Sequence, residues 1–398
     1  MKLGTIDFVG ERLREGREAR GITAISLAGI IGVTRAAVSQ YEQGVQSPRP
    51  DVMERICGSL NLPLAFFTRS MRTYDGTIYW RSLASTTKLA RQAAERKLDW
   101  LQDFVVYAQE YVDFPGCDFP QIDLPADPLR ITDADIESIA MAARAYWKLG
   151  DGPIKSAIAV LENSGVFVAR DDLHVSALDG LSRWSQRGGC AFCLVASGKD
   201  SAVRSRMDLL HELGHLILHR DIDQRYVTSP AIHRVIENQA FRFAGAFALP
   251  EESFSSDIYS LSLDAFVRLK EHWKVAVGAM IKRCEQLGIA SENQTGRLWR
   301  TWSARGWRTR EPLDDEMPIE RPQMLSGAMD IILAQGVGKD DVSAALALPA
   351  ADIEQLASMP LGTLSGTNTH AMAVVDRPQA GGRGHKPSMV LEFKKTRG

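Results

Sequence analysis

Between residues 5 and 68 the chain alternates short apolar-periodic runs with glycines and polar breaks, the pattern of several short helices. A longer amphipathic helix is expected over 88–111. There Leu89, Ala93, Leu98, Leu101, Val105, Ala108 and Tyr111 recur at helical spacing, with Arg91, Glu95, Lys97 and Asp103 between them. Prolines at 115, 120, 125 and 128 punctuate the next stretch, which reads as a linker. Helical pattern resumes over 133–163. Two apolar runs, residues 165–169 and 190–196, read as strands, with Asp179-Gly180 as a turn between them. Two further helices are expected over 203–220 and 234–249, the second ended by Pro250. Residues 263–287 are again helical in pattern, and a mixed segment follows to about 360. The end of the chain is rich in Gly, Thr and Pro. It carries Arg383, Lys386, Lys394, Lys395 and Arg397, and reads as a loosely packed tail.

At 398 residues the chain is too long for one ordinary core. The pattern divides it into a helical module (1–70), a helical connector with the proline-rich linker (71–130), a mixed core (131–255), a helical C-terminal region (256–362) and the tail (363–398). A hydrophobic content of 45% with 24% charged residues places it among ordinary globular proteins, and a net charge of −2 singles out no partner. No apolar run approaches the ~20 residues of a bilayer span, so no membrane partner is expected. The first residues lack the basic-then-apolar pattern of a secretion signal. Five scattered cysteines (Cys57, Cys117, Cys190, Cys193 and Cys284) suit a reducing compartment, and a cytoplasmic location is expected. Cys190 and Cys193 form a CxxC inside an apolar strand. Residues three apart on a strand point to opposite faces, which favours core packing over joint metal or redox work.

The first module follows helix-turn-helix logic. Thr23 can cap a helix running to Ile31, with Leu27, Ala28 and Ile31 inward, and Gly32-Val33 makes the turn. Thr34 caps a second helix over 35–42, with Val38 and Tyr41 inward, and Gly44 sits where the chain leaves it. Thr34, Arg35, Ala36, Ser39 and Gln40 then face outward, able to reach base edges in a major groove, while Arg49 and Arg55 can touch phosphates. Residues 1–70 hold nine Lys/Arg against seven Asp/Glu, only mildly basic, so a small bundle for dimerisation or protein contact is the competing reading.

The chemistry lies in His211-Glu212-Leu213-Gly214-His215. Two histidines four apart on a helix put both imidazoles on one face, one turn apart, able to grip one ion. Glu212, about 100° round the helix, stands beside that ion, where it can act on water without being a ligand. Gly214 costs about 1 kcal/mol against Ala in a helix, so close approach of another element is expected there. A catalytic zinc needs a third protein ligand. His219 lies about two turns from His211 on the same helix, His233 lies in a loop by pattern, and Glu237 opens the following helix. Ala240, Phe241, Ala244 and Phe247 give that helix an apolar face to pack beneath the first, which brings Glu237 to the ion and makes it the best placed of the three. A chance HExxH on an amphipathic helix is the alternative.

Two stretches resemble known families. Leu27-Ala28, Gly32-Val33-Thr34, Val38-Ser39-Gln40-Tyr41-Glu42-Gln43-Gly44 and Pro48 resemble the XRE/Cro-type repressor domain over about 55 residues. That resemblance implies a five-helix fold binding specific double-stranded DNA, often as a homodimer. His211-Glu212-Leu213-Gly214-His215-Leu216-Ile217-Leu218-His219, then Glu237-Asn238-Gln239-Ala240-Phe241-Arg242-Phe243-Ala244 and Leu249-Pro250, resemble the ImmA/IrrE metallopeptidases. Upstream, Trp147-Lys148-Leu149-Gly150-Asp151-Gly152-Pro153-Ile154, Leu161-Glu162 and Asp179-Gly180 extend the likeness, which covers roughly residues 135–255. The chain departs from it at Gln239, where many members carry a second acidic residue, and at Ala248, usually a large apolar position. Tyr79-Trp80-Arg81-Ser82 and residues 269–275 are similar to segments of proteins that fuse the two domains.

The resemblance implies a multidomain protein: an all-α helix-turn-helix domain, an α+β gluzincin-like zinc metallopeptidase domain, and a helical C-terminal region. It implies His211, His215 and Glu237 as Zn2+ ligands and Glu212 as general base. The expected activity is cleavage of a repressor-type protein, in this chain or in a partner, during stress, mobile-element or phage-defence regulation. The competing expectation is a non-catalytic antitoxin-like repressor that binds a toxin partner.

Overall fold

A computed structural model describes residues 4–80, 87–172, 179–185, 188–198, 201–223, 226 and 229–366. Arg81-Ser82 and the basic residues Arg383, Lys386, Lys394, Lys395 and Arg397 lie outside the described residues. The chain begins with five short helices: α1 (Gly10–Ala19), α2 (Ala24–Ile31), α3 (Arg35–Glu42), α4 (Pro50–Leu60) and α5 (Leu64–Phe67). The local chemistry is as expected. Thr23 Oγ1 accepts from the Ser26 amide and Thr34 Oγ1 from the Ala37 amide, both at 3.1 Å. Gly32 turns the chain at φ 68°, a left-handed conformation that a side chain would resist. Leu27, Ala28, Ile31, Val38 and Tyr41 are buried.

A four-stranded mixed sheet follows, in the order β1 (Ile78–Trp80), β3 (Gly180–Ser185), β4 (Cys190–Ala196), β2 (Val166–Asp171). β2 and β4 run parallel, while β3 is antiparallel to both β4 and β1. Two strands depart from the sequence expectation. Asp179-Gly180 does not turn the chain back but leads into β3, and β1 has only three residues. The polar sequence of β3 hid it. Ser182, Arg183 and Ser185 are buried, and Arg183 meets its charge partner Asp99 at 2.8 Å.

The two faces of the sheet belong to two cores. Cys193 lies on one face and Cys190 on the other, as alternation requires. The Cys193 face carries α9 (Ala202–Leu218), α7 (Asp133–Tyr146), α8 (Ala157–Asn163), α10 (Pro230–Ala248), α11 (Glu251–Asp257), α12 (Leu263–Trp273) and α13 (Val277–Gln286). Lys274, left-handed at φ 53°, breaks the expected helix over 263–287 into α12 and α13. Beyond it α14 (Glu292–Ala304) packs on α13.

The opposite face is covered by α6 (Lys88–Ala108) and by α15 (Met324–Ala334), α16 (Lys339–Leu346) and α17 (Ala350–Leu356), and its core runs without a break into the five N-terminal helices. Helix α6 is therefore a central beam and not a connector. Trp100 Nε1 donates to Glu15 at 2.8 Å, and Arg96 pairs with Glu18 at 3.0 Å. Arg20 holds Asp352 of α17 through two bonds of 2.7 and 2.6 Å, and Lys97 joins Asp352 at 3.0 Å and Asp171 of β2 at 3.4 Å. The proline-rich stretch is likewise tied down. Phe114 meets Phe167, Phe119 meets both Trp147 and Trp184, and the Asp118 amide donates to Ser164 O.

Candidate metal centre

Helices α9 and α10 cross closely because Gly214 has no side chain. A methyl there would stand 3.1 Å from Ala240 O and 3.1 Å from the Phe243 ring. The crossing sets the first turns of α10 against the middle of α9. His211 and His215 present their Nε2 atoms to each other at 3.0 Å. Glu237 faces both, Oε2 at 3.3 Å from His211 Nε2 and Oε1 at 3.1 Å from His215 Nε2. All three donor atoms lie within 4.8 Å of one another. Nitrogens sharing one tetrahedral zinc, with bonds of 2.0–2.1 Å, stand about 3.3 Å apart. Two imidazoles and a carboxylate, buried and converging at this spacing, fit a divalent cation of zinc's preference.

His233, expected in a loop, lies instead in the first turn of α10, with Nε2 3.7 Å from Glu237 Oε1. It flanks the carboxylate and is not one of the three converging groups. His219 turns away from the centre. Its Nδ1 meets His215 Nδ1 at 3.0 Å and its Nε2 meets Gln239 Oε1 at 3.1 Å. Tyr79 of β1 stacks on the His215 ring, centroids 5.1 Å apart and planes within 10°, and its hydroxyl donates to His219 O. Burial, with a smaller contribution from His233, pushes the His215 pKa down to about 3, so the ring is neutral and able to bind a cation. Burial also holds His219 well below the ordinary histidine range.

Glu212 is fully buried on the sheet side of α9, against Gly180 of β3. Burial and then the Glu212 carboxylate raise the Cys193 thiol well above its usual range, so Cys193 is a protonated core residue. Beside the centre runs a cleft of about 1200 Å³, with Arg204, Asp208, Asn238, Phe241, Arg242 and Arg310 among its lining residues. Phe241 joins the two: its ring centroid is 4.3 Å from that of His211, and the side chain is 39% exposed.

On the N-terminal module, Thr34, Arg35, Ala36, Ser39 and Gln40 are exposed along α3. Arg49 is exposed and pairs with Asp51 at 3.5 Å. Arg55 is partly committed, since its Nε donates to Ile31 O at 2.8 Å.

Of the residues picked out in the sequence, the structure brings His211, His215 and Glu237 together, with Glu212 on the same helix facing Gly180. Tyr79 and Gly180 were seen only as parts of motifs, and His219 only as a candidate ligand. Their work depends on contacts between β1, β3 and α9, which no local periodicity records. A helix-turn-helix family model matches residues 13–67, and a model of the IrrE N-terminal-like domain matches residues 161–285, past the core boundary expected at 255. No curated protein matches the chain. The chain thus joins an XRE-type helix-turn-helix domain to an IrrE-like domain of a metallopeptidase family.

Proposed function

We propose that this chain is a DNA-binding transcriptional regulator whose second domain is a zinc-dependent endopeptidase, acting on a repressor-type protein that is either this chain itself or a partner. His211, His215 and Glu237 hold the zinc. When bound, zinc supplies Lewis acidity to a peptide carbonyl and lowers the pKa of water toward neutrality. Glu212 accepts the proton of the attacking water and returns it to the departing amine. The observation that carries this reading is Glu212, a carboxylate next to His211 in the chain and fully buried between α9 and Gly180 of β3. A purely structural metal site needs no such base.

None of the four residues exposes more than a tenth of its surface. Peptide access therefore requires part of the surround to move, which fits an enzyme that is silent until triggered. Phe241 gives the approaching peptide an apolar wall next to His211, at the edge of a cleft lined largely by polar and charged groups. Arg35, Ser39 and Gln40 read bases from α3, with Thr34 and Ala36 against the groove and Arg49 on the phosphates. A cytoplasmic location follows from a DNA partner; among the described residues, no helix is long and apolar enough to cross a membrane.

The test compares wild type and Glu212→Gln in cells. Glutamine keeps the shape but cannot carry the proton, so zinc content and DNA binding persist while cleavage of the repressor-type substrate and the regulatory response vanish. Identical behaviour under every inducing stress, phage challenge included, overturns catalysis in favour of an antitoxin-like repressor that binds a toxin.

A further inference from the structure

Gln239 stands two residues after Glu237 on α10. Its side-chain nitrogen donates to Pro128 O at 2.7 Å and to Ile131 O at 3.2 Å. Carbonyls only accept, so these two bonds decide which end of the amide is nitrogen and turn Oε1 toward His219 Nε2, 3.1 Å away. An amide oxygen also only accepts, so the His219 proton sits on Nε2. A buried imidazole between an amide and another imidazole is neutral, which leaves His219 Nδ1 as an acceptor. The atom facing it at 3.0 Å is His215 Nδ1, which must donate. A neutral His215 with its proton on Nδ1 carries its lone pair on Nε2, the atom that faces His211 Nε2 and Glu237.

We propose that Gln239 and His219 are positioning residues: one hydrogen-bond chain from the Pro128 and Ile131 carbonyls fixes the Nδ1–H tautomer of His215 and aims its Nε2 lone pair at the metal position. The inference rests on His215 being a metal ligand. It also gives a role to two buried side chains that the peptidase chemistry leaves unused, the third histidine of the α9 motif and Gln239. Oriented partners of this kind raise ligand basicity and remove the cost of choosing a tautomer on binding. Tyr79 supports the same chain from β1, its hydroxyl on His219 O and its ring on His215.

The test uses the full chain stripped of metal. Zn2+ affinity is measured by competition with a chromophoric chelator for wild type, His219→Leu, His219→Asn and Glu237→Ala. His219→Leu fills the space but offers His215 no acceptor, and its affinity should fall by about 10–100-fold. His219→Asn puts a carbonyl oxygen near the Nδ1 position and should recover most of that loss, although leucine is the better residue for an apolar core. Nitrogen-15 spectra of the metal-free wild type should show His215 protonated on Nδ1 and His219 on Nε2. Wild-type affinity in His219→Leu, or a His215 protonated on Nε2, overturns the proposal. If wild type and Glu237→Ala bind Zn2+ equally weakly, the metal assignment fails by itself, and the spectra still decide the hydrogen-bond chain.

Discussion

A methyl group on Gly180 would stand 3.1 Å from Glu212 Oε1, with Val195 Cγ1 at 3.3 Å on its other flank. The glycine is therefore what lets the base lie flat against the sheet. Gly180→Ala should displace the carboxylate while leaving the three ligand side chains in place. We expect normal zinc content and cleavage lowered by roughly several-fold, since the carboxylate has to give by a few tenths of an ångström and rate is sensitive to the placement of a reacting group. Zinc analysis beside the cleavage assay checks this, and full activity in Gly180→Ala would show that Glu212 tolerates the shift.

Gly214 sets the separation of α9 and α10. Alanine gains about 1 kcal/mol of helix propensity. Its methyl would press on the backbone at Ala240 O, which cannot rotate away, and overpacking costs roughly 1–3 kcal/mol. We expect Gly214→Ala to lower the melting temperature slightly, and Gly214→Val to lower it further and reduce zinc occupancy by pushing Glu237 outward. A raised melting temperature for Gly214→Val would mean that the helices are free to separate.

DNA binding should be tested on the full chain, because the N-terminal helices share their core with α6 and the sheet. Arg35→Ala and Gln40→Ala should each cost about 1–3 kcal/mol and relax preference at one base position. Arg49→Ala should weaken binding to all sequences alike and reduce the salt slope by about 1. Titrations against the region upstream of its own gene, at several salt concentrations, separate the two patterns. Equal affinity of wild type for random duplex would reassign the module to protein contact.

Asp352 offers a pH-dependent measurement. Burial alone would raise its carboxyl, but the hydrogen bond from Arg20 and the charges of Lys97 and Arg20 prevail, so its pKa is depressed below 3.8. A depressed carboxylate stabilises the fold above its unfolded pKa and loses that contribution as pH falls through the folded value. Near neutrality Asp352→Asn should cost about 3 kcal/mol, the loss expected when one partner of a buried ion pair is removed. The gap in unfolding free energy between wild type and Asp352→Asn should be constant from pH 7 to 5 and close as pH drops below about 4. A gap unchanged between pH 5 and pH 2 would show that shape, and not charge, is what the position needs.

Features governed by local rules were readable in the sequence. Threonine caps at 23 and 34, the left-handed Gly32 and the four-residue histidine spacing each act within one or two turns, and each stands where it was expected. The apolar face of α10 was enough to bring Glu237 to His211. Strand β3 was missed because its polar residues are buried, with Arg183 and Ser185 held by the distant partners Asp99 and Asp75. The proline-rich stretch was read as a linker because proline opposes regular structure, yet the half-buried Phe114 and Phe119 pin it to aromatic neighbours in the two cores. His219 was set aside because one helix cannot supply three ligands to one ion. That geometry held, but it hid the hydrogen bond to His215 Nδ1.

The continuous core beneath the sheet means that the head and the body cannot be parted without opening apolar surface on both. Phe66 and Phe67 lie on the buried side of the N-terminal helices, Phe66 edge-on to Trp100. A chain severed between α5 and α6 would keep its halves together only while these rings stay covered. Once they separate, each fragment carries a wet apolar wall, although the core on the Cys193 face stays whole. Scission there would leave a pair held by its seam alone, a joint that the intact chain never has to open.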